Sequence, residues 1–412
     1  MISGQAGSSD SMAVVGGVYR ETCMRPGWNE FYGSAGRAAS ALSSMGVPVT
    51  LHSYLDNDAR AAIEARAIHQ NYRIIPTQVE RTVTFAYLHG LDTPRICGDG
   101  VIHNSLEVAA DRAVRFGMIE SDAVVRGGQV VYDPQNTKGP APFAQNGSSA
   151  DRLALILNRR EAELLSMKFG DTPESMAEAL IKSQGAEVVV IKLGALGALV
   201  HDGRIATPVA AYNSGTVWKL GSGDHFTAHF ALRWIHEGRA AVESAELASL
   251  ATAYYCQSGG VATAELLAAY SPAKVVPSTA FLSGRQPLVY LAGPFFSLAQ
   301  LWIIEQARYS LVCMGLRVFS PYHEIGIDSA EKVVPADLAA IHDADLIFAI
   351  GDGMDPGTIY EIGYGRAKGK PVVLYCENES EERKKMMQGS GCVLCDDYVS
   401  AIYQALWTAC AL

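Results

Sequence analysis

Short apolar runs alternate with longer segments of helical periodicity along most of the chain. Leu288–Ala292 and Leu346–Ile350 are apolar enough for buried strands, whereas residues 33–45, 224–237 and 240–258 have the length and composition of helices. Strands that alternate with helices predict parallel sheets built from βαβ units. We therefore expect an α/β protein with a doubly wound N-terminal domain and a smaller, Rossmann-like (flavodoxin-like) parallel-sheet domain after it.

The periodicity is lost in one stretch, residues 271–286, which is rich in Pro, Ser and Gly and predicts a linker. A chain of 412 residues is also too long for a single ordinary core. We expect one domain over residues 12–270 and a second over residues 287–412.

Composition and charge narrow the possible functions. The formal net charge is −10 and the sequence has no basic run, so no nucleic-acid partner is expected. No apolar run approaches the roughly 18 residues of a membrane span, so no membrane partner is expected either. Residues 1–11 lack the apolar core of a signal peptide. Because eight cysteines in so long a chain do not make a disulfide scaffold, we expect a cytoplasmic protein.

Carboxylates gather between the apolar run Leu346–Ile350 and the next one, Val372–Tyr375. A glycine-rich turn carries Asp352 and Asp355, and Glu361 follows in a predicted helix. In a βαβ unit this turn lies at the carboxyl end of the strand, where parallel sheets place their sites. This segment is the best candidate for an active site.

Two carboxyl groups in different environments can cleave a glycosidic bond with retention. One forms a covalent glycosyl ester, while the other stays protonated and gives its proton to the leaving group. Glu361 is the candidate nucleophile because a helix N-terminus favours a nearby anion. The spacing alone leaves a second interpretation open, in which Asp352 and Asp355 only shape the turn and Glu361 faces solvent.

The strand that contains Tyr290 ends in an aromatic glycine turn with Gly293 and Phe295. There is no G-x-G-x-x-G dinucleotide fingerprint here. Such a turn suits the flat face of a base or sugar better than a pyrophosphate. Asp337 lies at the start of the predicted helix that leads into the central strand.

Glycine turns in the first domain could hold a phosphate group. Gly221-Ser222-Gly223-Asp224 opens a predicted helix, where backbone N–H groups could hold an anion and Asp224 could accept a proton from a hydroxyl. Gly194 and Gly197 form a further glycine turn after a strand. Asn158 and Glu161 share a helical face and could bind magnesium or its waters. A capped helix start and a solvated helix face are the alternative interpretations.

Together, and in this order, these motifs resemble the ribokinase-like (PfkB) family of sugar and nucleoside kinases over residues 12–270. The matching elements also include the turn at residues 33–36 and Asp133-Pro134. The resemblance implies a ribokinase-like fold with Asp224 as catalytic base. It implies nucleotide, phosphoryl and magnesium contacts at Gly194, Gly197, Gly221, Ser222, Gly223, Asn158 and Glu161.

Two departures from that family are visible. Arg37 stands where an asparagine is usual after the first glycine turn, and residues 218–220 read Trp-Lys-Leu before the anion-binding turn. Both lie close in sequence to elements of the expected kinase site.

Residues 287–412 resemble the nucleoside 2-deoxyribosyltransferases, through residues 290–296 and the run Asp355-x-Gly357-x-x-x-Glu361-x-Gly that precedes Gly-Lys-Pro-Val. The resemblance implies that Glu361 takes the deoxyribosyl group at C1′ and that Tyr290 orients it. Asp337 and Asp355 would bind the base and assist its protonation. The implied substrate contacts are Tyr290, Gly293, Phe295, Asp352, Asp355 and Gly357. A carboxylate at position 355 would repel a 5′-phosphate, so we favour a nucleoside over a nucleotide.

The two resemblances predict an enzyme of nucleoside metabolism that cleaves or exchanges an N-glycosidic bond through Glu361. They imply a nucleoside and a free base as ligands, no cofactor for the glycosidic chemistry, magnesium-ATP for the kinase-like domain, and a homo-oligomer. Two alternatives remain open. The first is an N-glycohydrolase that uses water instead of an acceptor base; the second is an effector whose altered kinase domain senses a nucleotide and gates the glycosidase.

Overall fold

The computed structural model describes residues 11–98, 100–326 and 328–412, so the polar stretch at residues 1–11 lies outside the described part except for Ser11. The chain divides into two compact units. The first comprises the described residues up to Ser214 together with Trp218–Lys274, and the second comprises Gly215–Val217 and Val275–Leu412. Each unit has its own sheet and its own hydrophobic core.

A large sheet forms the centre of the first unit. The strands of this unit are β1 (Met12–Val15), β2 (Arg20–Arg25), β3 (Trp28–Phe31), β4 (Val49–Leu55), β5 (Arg73–Gln78), β6 (Thr84–His89), β7 (Arg95–Cys97), β8 (Leu106–Phe116), β9 (Ala123–Asp133), β10 (Ser149–Asn158), β11 (Val188–Lys192), β12 (Ala198–His201) and β13 (Ala206–Val209). Nine of them pair in the order β13-β12-β11-β10-β9-β8-β1-β4-β5. Neighbouring strands are parallel except where β12 pairs with β11 and β13.

Helices cover both faces of this sheet. They are α1 (Gly33–Ser44), α2 (Asn57–Gln70), α3 (Arg159–Ser166), α4 (Pro173–Gln184), α5 (Ser222–Ala231), α6 (Ala241–Ser258) and α7 (Ala264–Ala269). Consecutive strand residues face opposite cores: Val14 packs with residues of α1, α5 and α6, whereas Val15 packs with residues of α3 and α4. Burial on both faces explains why these strands are apolar without alternation.

A second, four-stranded sheet of the first unit has the order β3-β2-β6-β7. Of its strands, β6 has a mainly apolar sequence, TFAYLH. The other strands carry many charged and polar residues, such as the RETCMR of β2, and are only partly buried. Their composition therefore gave no apolar signal.

The second unit is a single parallel sheet with helices around it. Its strands are β14 (Leu288–Ala292), β15 (Arg317–Phe319), β16 (Leu346–Ile350), β17 (Val372–Tyr375) and β18 (Val393–Cys395). Its helices are α8 (Thr279–Leu282), α9 (Leu298–Cys313), α10 (Pro321–Glu324), α11 (Ala330–Asp343), α12 (Pro356–Ala367), α13 (Glu381–Gly389) and α14 (Tyr398–Cys410). The strand order is β15-β14-β16-β17-β18. The direction of winding reverses between β14 and β16, and sheets of this kind bind ligands at that switch point.

These sheets confirm the predicted α/β class, with a larger doubly wound unit and a smaller parallel-sheet unit. Some element boundaries differ from the prediction. The helix expected to start near Asp337 begins earlier, at Ala330, and contains Pro335. The helix expected over residues 224–237 is α-helical only to Ala231 and continues as the π-helical segment Leu232–His236. Across the described residues, every helix is too short or too polar to cross a membrane.

Gly365 allows α12 to pack closely on β16, and this contact gives a test of the fold. A Cβ added at Gly365 would lie 2.0 Å from Cδ1 of Ile347, a fully buried residue. We expect Gly365→Ala to lower the free energy of unfolding by about 1–3 kcal/mol, because the core has little room for another methyl group.

The matched control is Gly363→Ala in the same helix, where an added Cβ would meet nothing within 4 Å. Helix propensity should make that change neutral or stabilising by up to about 1 kcal/mol. Urea unfolding measures both variants, and equal unfolding free energies would contradict the packing described for α12.

Candidate active sites

The second unit joins a tyrosine and a glutamate beside the switch point of its sheet. Tyr290 lies in β14 with its side chain fully buried, and its hydroxyl donates a hydrogen bond of 2.6 Å to Oε1 of Glu361. The ring of Phe319 stacks on Tyr290 with centroids 5.7 Å apart and an interplanar angle of 14°. Burial, followed by the charge of Glu361, raises the pKa of Tyr290 far above its ordinary value. Tyr290 is therefore a fixed hydrogen-bond donor to Glu361.

Glu361 lies in the second turn of α12, which begins at Pro356. The dipole effect expected from the sequence falls off within the first turn of a helix, so it does not account for the state of this carboxyl. Burial instead raises the pKa of Glu361 to about 7, with Asp337 and Asp355 adding to the rise and the Tyr290 hydrogen bond opposing it. A carboxyl with this pKa exchanges its proton near neutral pH.

Asp337 is the second carboxyl group of this site. It lies on α11, and its Oδ1 is buried and accepts no hydrogen bond from the described residues. Burial raises the pKa of Asp337, and the Tyr290 hydroxyl opposes this rise. A buried carboxyl oxygen without a donor favours the protonated acid.

The turn between β16 and α12 is held by its own carboxylates. Oδ2 of Asp355 caps α12 by accepting hydrogen bonds from the backbone N–H (2.8 Å) and the hydroxyl (3.0 Å) of Thr358. Asp352 accepts hydrogen bonds from the backbone N–H (2.8 Å) and the side-chain amide (3.3 Å) of Asn378. Both aspartates thus shape the turn, as one interpretation of the sequence anticipated, while Asp355 also acts electrostatically on Glu361.

Glycines and aromatic rings border the same end of the sheet. A Cβ at Gly293 would lie 2.8 Å from Cδ1 of Ile304, so this glycine lets α9 approach the end of β14. Gly357 lies in the first turn of α12, where a Cβ would come 3.1 Å from Oδ2 of Asp355. The partly exposed ring of Phe295 lies 5.5 Å from the ring of Tyr322 at an interplanar angle of 49°, so two apolar ring faces border this end of the sheet.

In the first unit, Asp224 has partners on both carboxylate oxygens. Its Oδ2 accepts a hydrogen bond of 2.9 Å from Nη1 of Arg37, and its Oδ1 accepts one of 2.9 Å from Gln135. Arg37 is also paired with Glu21, at 3.2 Å from Nη1 to Oε1 and through a second, shorter contact. Arg37 therefore joins two carboxylates inside the first unit.

Lysines lie beside the first turn of α5, the predicted anion-binding turn. Lys219 donates a hydrogen bond of 2.8 Å to Oγ of Ser222, and Nζ of Lys192 lies 3.5 Å from the position of a Cβ at Gly223. Gly221 has a φ of +76°, a conformation that favours glycine. Together with the helix N-terminus, the two ammonium groups make this turn electropositive.

Asn158 and Glu161, predicted as magnesium contacts, form a reciprocal capping box at the start of α3. Oδ1 of Asn158 accepts from the backbone N–H of Glu161 (2.9 Å), and Oε2 of Glu161 accepts from the backbone N–H of Asn158 (2.7 Å). Burial and the charge of Asp133 raise the pKa of Glu161 to about 7.

Lys192 connects this region to Asp133. Its Nζ lies 2.6 Å from Oδ2 of Asp133, while Oδ1 of Asp133 is buried without a hydrogen-bond partner among the described residues. Gly194 and Gly197 both have positive φ angles. Gly194 has open space where a Cβ would be, whereas a Cβ at Gly197 would lie 2.0 Å from the carbonyl oxygen of Val209, so Gly197 is required for close packing of β12 against β13.

The structure adds residues that the sequence reasoning missed. Gln135 follows the Asp133-Pro134 pair directly, yet nothing in its local pattern indicates a contact with Asp224. Phe319 and Tyr322 belong to an apolar strand and a short helix that gave no sign of a role in the site. Arg37 was noted only as a departure from the kinase pattern.

Two family models match separate parts of the chain. Residues 131–267 match the pfkB family of carbohydrate kinases, and residues 289–393 match the nucleoside 2-deoxyribosyltransferases. No curated protein matches the chain.

Solved structures of ribokinase-family enzymes are similar to about two thirds of the chain. The fructokinase from Vibrio cholerae O395 has a TM-score of 0.50 at 15% identity, over 64% of this chain and 99% of that one. The ribokinase from Thermotoga maritima has a TM-score of 0.46 at 16% identity, over 63% and 98%. The nucleoside kinase from Methanocaldococcus jannaschii has a TM-score of 0.46 at 12% identity, over 64% and 98%. At such identities the similarity to the fructokinase shows the fold alone. The chain therefore carries a segment similar to the pfkB carbohydrate kinases, in a ribokinase-like fold, followed by a nucleoside 2-deoxyribosyltransferase-like domain.

Proposed function

We propose that the second unit cleaves or exchanges the N-glycosidic bond of a (deoxy)nucleoside through Glu361. The observation that carries this proposal is the contact between Tyr290 and Glu361, with Asp337 nearby, inside the part of the chain that matches the deoxyribosyltransferase model. Glu361 accepts a 2.6 Å hydrogen bond from Tyr290, whereas Oδ1 of Asp337 is buried without a partner among the described residues, and this difference divides the roles of nucleophile and acid.

In the proposed reaction, the Glu361 carboxylate attacks C1′ of the sugar as the bond from C1′ to the base breaks. The ester between Glu361 and C1′ is the intermediate, and the departing base takes a proton from Asp337. A nitrogen of an acceptor base then attacks C1′ and displaces Glu361, and the proton that this nitrogen loses returns to Asp337. Atoms and charges balance over the two steps, and no cofactor is required.

The environments of the two acids support this division of roles. Tyr290 donates to Glu361 and favours its anion, which a nucleophile needs. The donor-free buried oxygen of Asp337 favours its protonated form, which a general acid needs.

Substrate selection is proposed to come from the surrounding turns. The exposed faces of Phe295 and Tyr322 suit a nucleobase. The negative charge of Asp355, which already raises the pKa of Glu361, disfavours a 5′-phosphate, so a nucleoside is favoured over a nucleotide. Asp352 and Gly357 are proposed to act by shaping the turn that presents Asp355. We also propose that the active form is a homo-oligomer, as the two family resemblances imply.

For the first unit we propose binding of magnesium-ATP at the electropositive first turn of α5. The donor atoms fit a magnesium ion that keeps most of its waters, because Glu161 has one carboxylate oxygen outside the capping box and Asp133 has an unpartnered Oδ1. Bound ATP would supply the phosphate groups, and magnesium would be their counterion. Lys192, Lys219 and the amides of residues 221–223 would hold the phosphate, and Gly194 and Gly197 would shape the neighbouring turn.

The first prediction concerns the nucleophile. Purified protein should release free base from a deoxynucleoside, and Glu361→Gln should reduce the rate by at least about 1,000-fold because no ester can form. Chromatography of the released base gives the rate. The surface variant Glu382→Gln is the matched control, since that side chain is 82% exposed. Equal base release by Glu361→Gln and the natural protein would sink the proposal.

The same assay separates transfer from hydrolysis. A transferase should release base rapidly only when an acceptor base is added, whereas the alternative, an N-glycohydrolase, should proceed with water alone. We expect omission of the acceptor base to slow turnover at least about tenfold, because the ester then waits for water.

A second prediction concerns stability and needs no substrate. The pKa of Glu361 is about 7 in the folded protein and 4.5 in its ordinary state. The folded state therefore prefers the protonated acid, a preference that stabilises fully below the ordinary pKa and is lost as pH rises through the folded pKa. Glu361→Gln should raise the free energy of unfolding at about pH 8 by about 1–2 kcal/mol and leave it unchanged near pH 4. Denaturant titrations at the two pH values measure this, and a less stable variant at the higher pH would contradict the assigned environment.

A third prediction concerns Tyr290. Tyr290→Phe keeps the ring stacked on Phe319 but removes the hydrogen bond that favours the Glu361 anion. The acid limb of kcat/KM, expected near pH 7 in the natural protein, should therefore move to higher pH in the variant. Tyr309→Phe, at a position 66% exposed, is the control. An acid limb that stays in place would mean that Tyr290 does not set the ionisation of Glu361.

A further inference from the structure

Arg37 and Asp224 form the centre of a buried cluster of three charged groups in the first unit. The Arg37 side chain is 2% exposed, and those of Glu21 and Asp224 are 10% and 9% exposed. Burial alone would lower the pKa of Arg37, but the neighbouring carboxylates, Glu21 foremost, raise it well above its ordinary value. The guanidinium is therefore permanently charged and donates to both acids.

Both carboxylate oxygens of Asp224 already accept a hydrogen bond from a protein side chain, so a substrate hydroxyl would have to share them. Oδ2 faces Arg37 at 2.9 Å and Oδ1 faces Gln135 at 2.9 Å. A general base must lie within hydrogen-bond reach of the proton that it removes. In this arrangement the nearest hydrogens to both oxygens belong to the protein itself.

The guanidinium also fills the space next to the turn that would hold a phosphate. A Cβ built on Gly221 would lie 2.0 Å from Nε of Arg37 and 2.2 Å from its Cζ. Arg37 thus lies directly on the backbone at the start of α5. A substrate hydroxyl would have to reach both Asp224 and a phosphate held by the amides of residues 221–223. It would therefore need the space that the Arg37 side chain fills.

Opening the cluster is electrostatically unfavourable. If Arg37 moved away, Glu21 and Asp224 would remain as two carboxylates with little exposure and no shared cation. A buried ion pair that loses one partner leaves an uncompensated charge in a poorly solvated place.

From this geometry we propose that Arg37 occupies the acceptor position of the first unit, so that Asp224 anchors a buried ion-pair cluster and does not act as the base of a phosphoryl transfer. The first unit then binds ligands without phosphorylating them. This proposal does not rest on the chemistry of Glu361, because the residues involved belong to a different unit.

Phosphoryl transfer is the direct test. The full-length chain, incubated with radiolabelled ATP, magnesium and a panel of hexoses, pentoses and nucleosides, should transfer no more label than Asp224→Asn does. Transfer by the natural chain that falls at least about tenfold in Asp224→Asn would overturn the proposal, because only a base free to accept a proton gives that difference.

A double-mutant cycle tests the cluster independently of any activity. Arg37→Met and Asp224→Asn should each lower the melting temperature, Arg37→Met by roughly 5–15 °C because it strands two buried carboxylates. The combined variant should lose clearly less than the sum of the two. Arg37→Lys, which keeps the charge, replaces Arg37→Met if that variant does not fold.

The control cycle uses Arg60→Met and Glu64→Gln, whose ion pair is 48% and 45% exposed and should show nearly additive effects. Additive losses at Arg37 and Asp224 would overturn the proposal, since they would mean that the two side chains do not depend on each other.

Discussion

A carboxylate that leaves water needs a cation, several hydrogen-bond donors, or its own proton, and both sites are built around this requirement. In the second unit, burial and the nearby Asp337 and Asp355 raise the pKa of Glu361 to about 7, and Tyr290 is its one hydrogen-bond donor among the described residues. In the first unit, Asp224 has a guanidinium and an amide, so both of its oxygens are occupied. The first arrangement raises the pKa of its carboxyl group, whereas the second pairs its carboxylate with a cation.

The position of Glu361 depends on the register of the second sheet. Tyr290 pairs with Phe319 on one side and with Ile347 on the other, so these three residues form one row across β15, β14 and β16. Gly365 has no side chain to separate α12 from Ile347. Glu361 precedes Gly365 by one helical turn on the same face, so close packing at Gly365 brings its carboxylate to the Tyr290 hydroxyl. The contact between Tyr290 and Glu361 is therefore a consequence of how closely the helix packs on the sheet.

Local sequence patterns indicated part of the second candidate site, because Asp352, Asp355 and Glu361 lie in one strand–turn–helix segment. Glu361 and Asp355 are six positions apart, and the apolar runs on either side define the strands that hold them. The helix dipole expected from the sequence does not account for the ionisation of Glu361, since α12 begins early enough to put this residue in the second turn. The contact that opposes the rise in the pKa of Glu361 comes from Tyr290, which is 71 positions away in sequence.

The cluster in the first unit could not be predicted in the same way. Arg37 and Asp224 are 187 positions apart, and Gln135 and Asp224 are 89 apart, so only the folded chain brings them together. The sequence showed an arginine in an unusual place but gave no partner for it. An arginine in a helix is ordinarily solvated, and the burial of Arg37 between two acids becomes visible only with the tertiary structure.

The electrostatics of the two units support the same kind of substrate. Asp355 places a negative charge beside Glu361, which disfavours a nucleotide with a 5′-phosphate in the second unit. A first unit whose acceptor position is filled by Arg37 would not add such a phosphate. If the first unit did phosphorylate nucleosides, its products would be poor ligands for the second, and the two activities would compete for one pool. Under the two proposals made above, Arg37 holds Asp224 and this conflict does not arise, so the first unit would bind a ligand while the nucleoside stays available to Glu361.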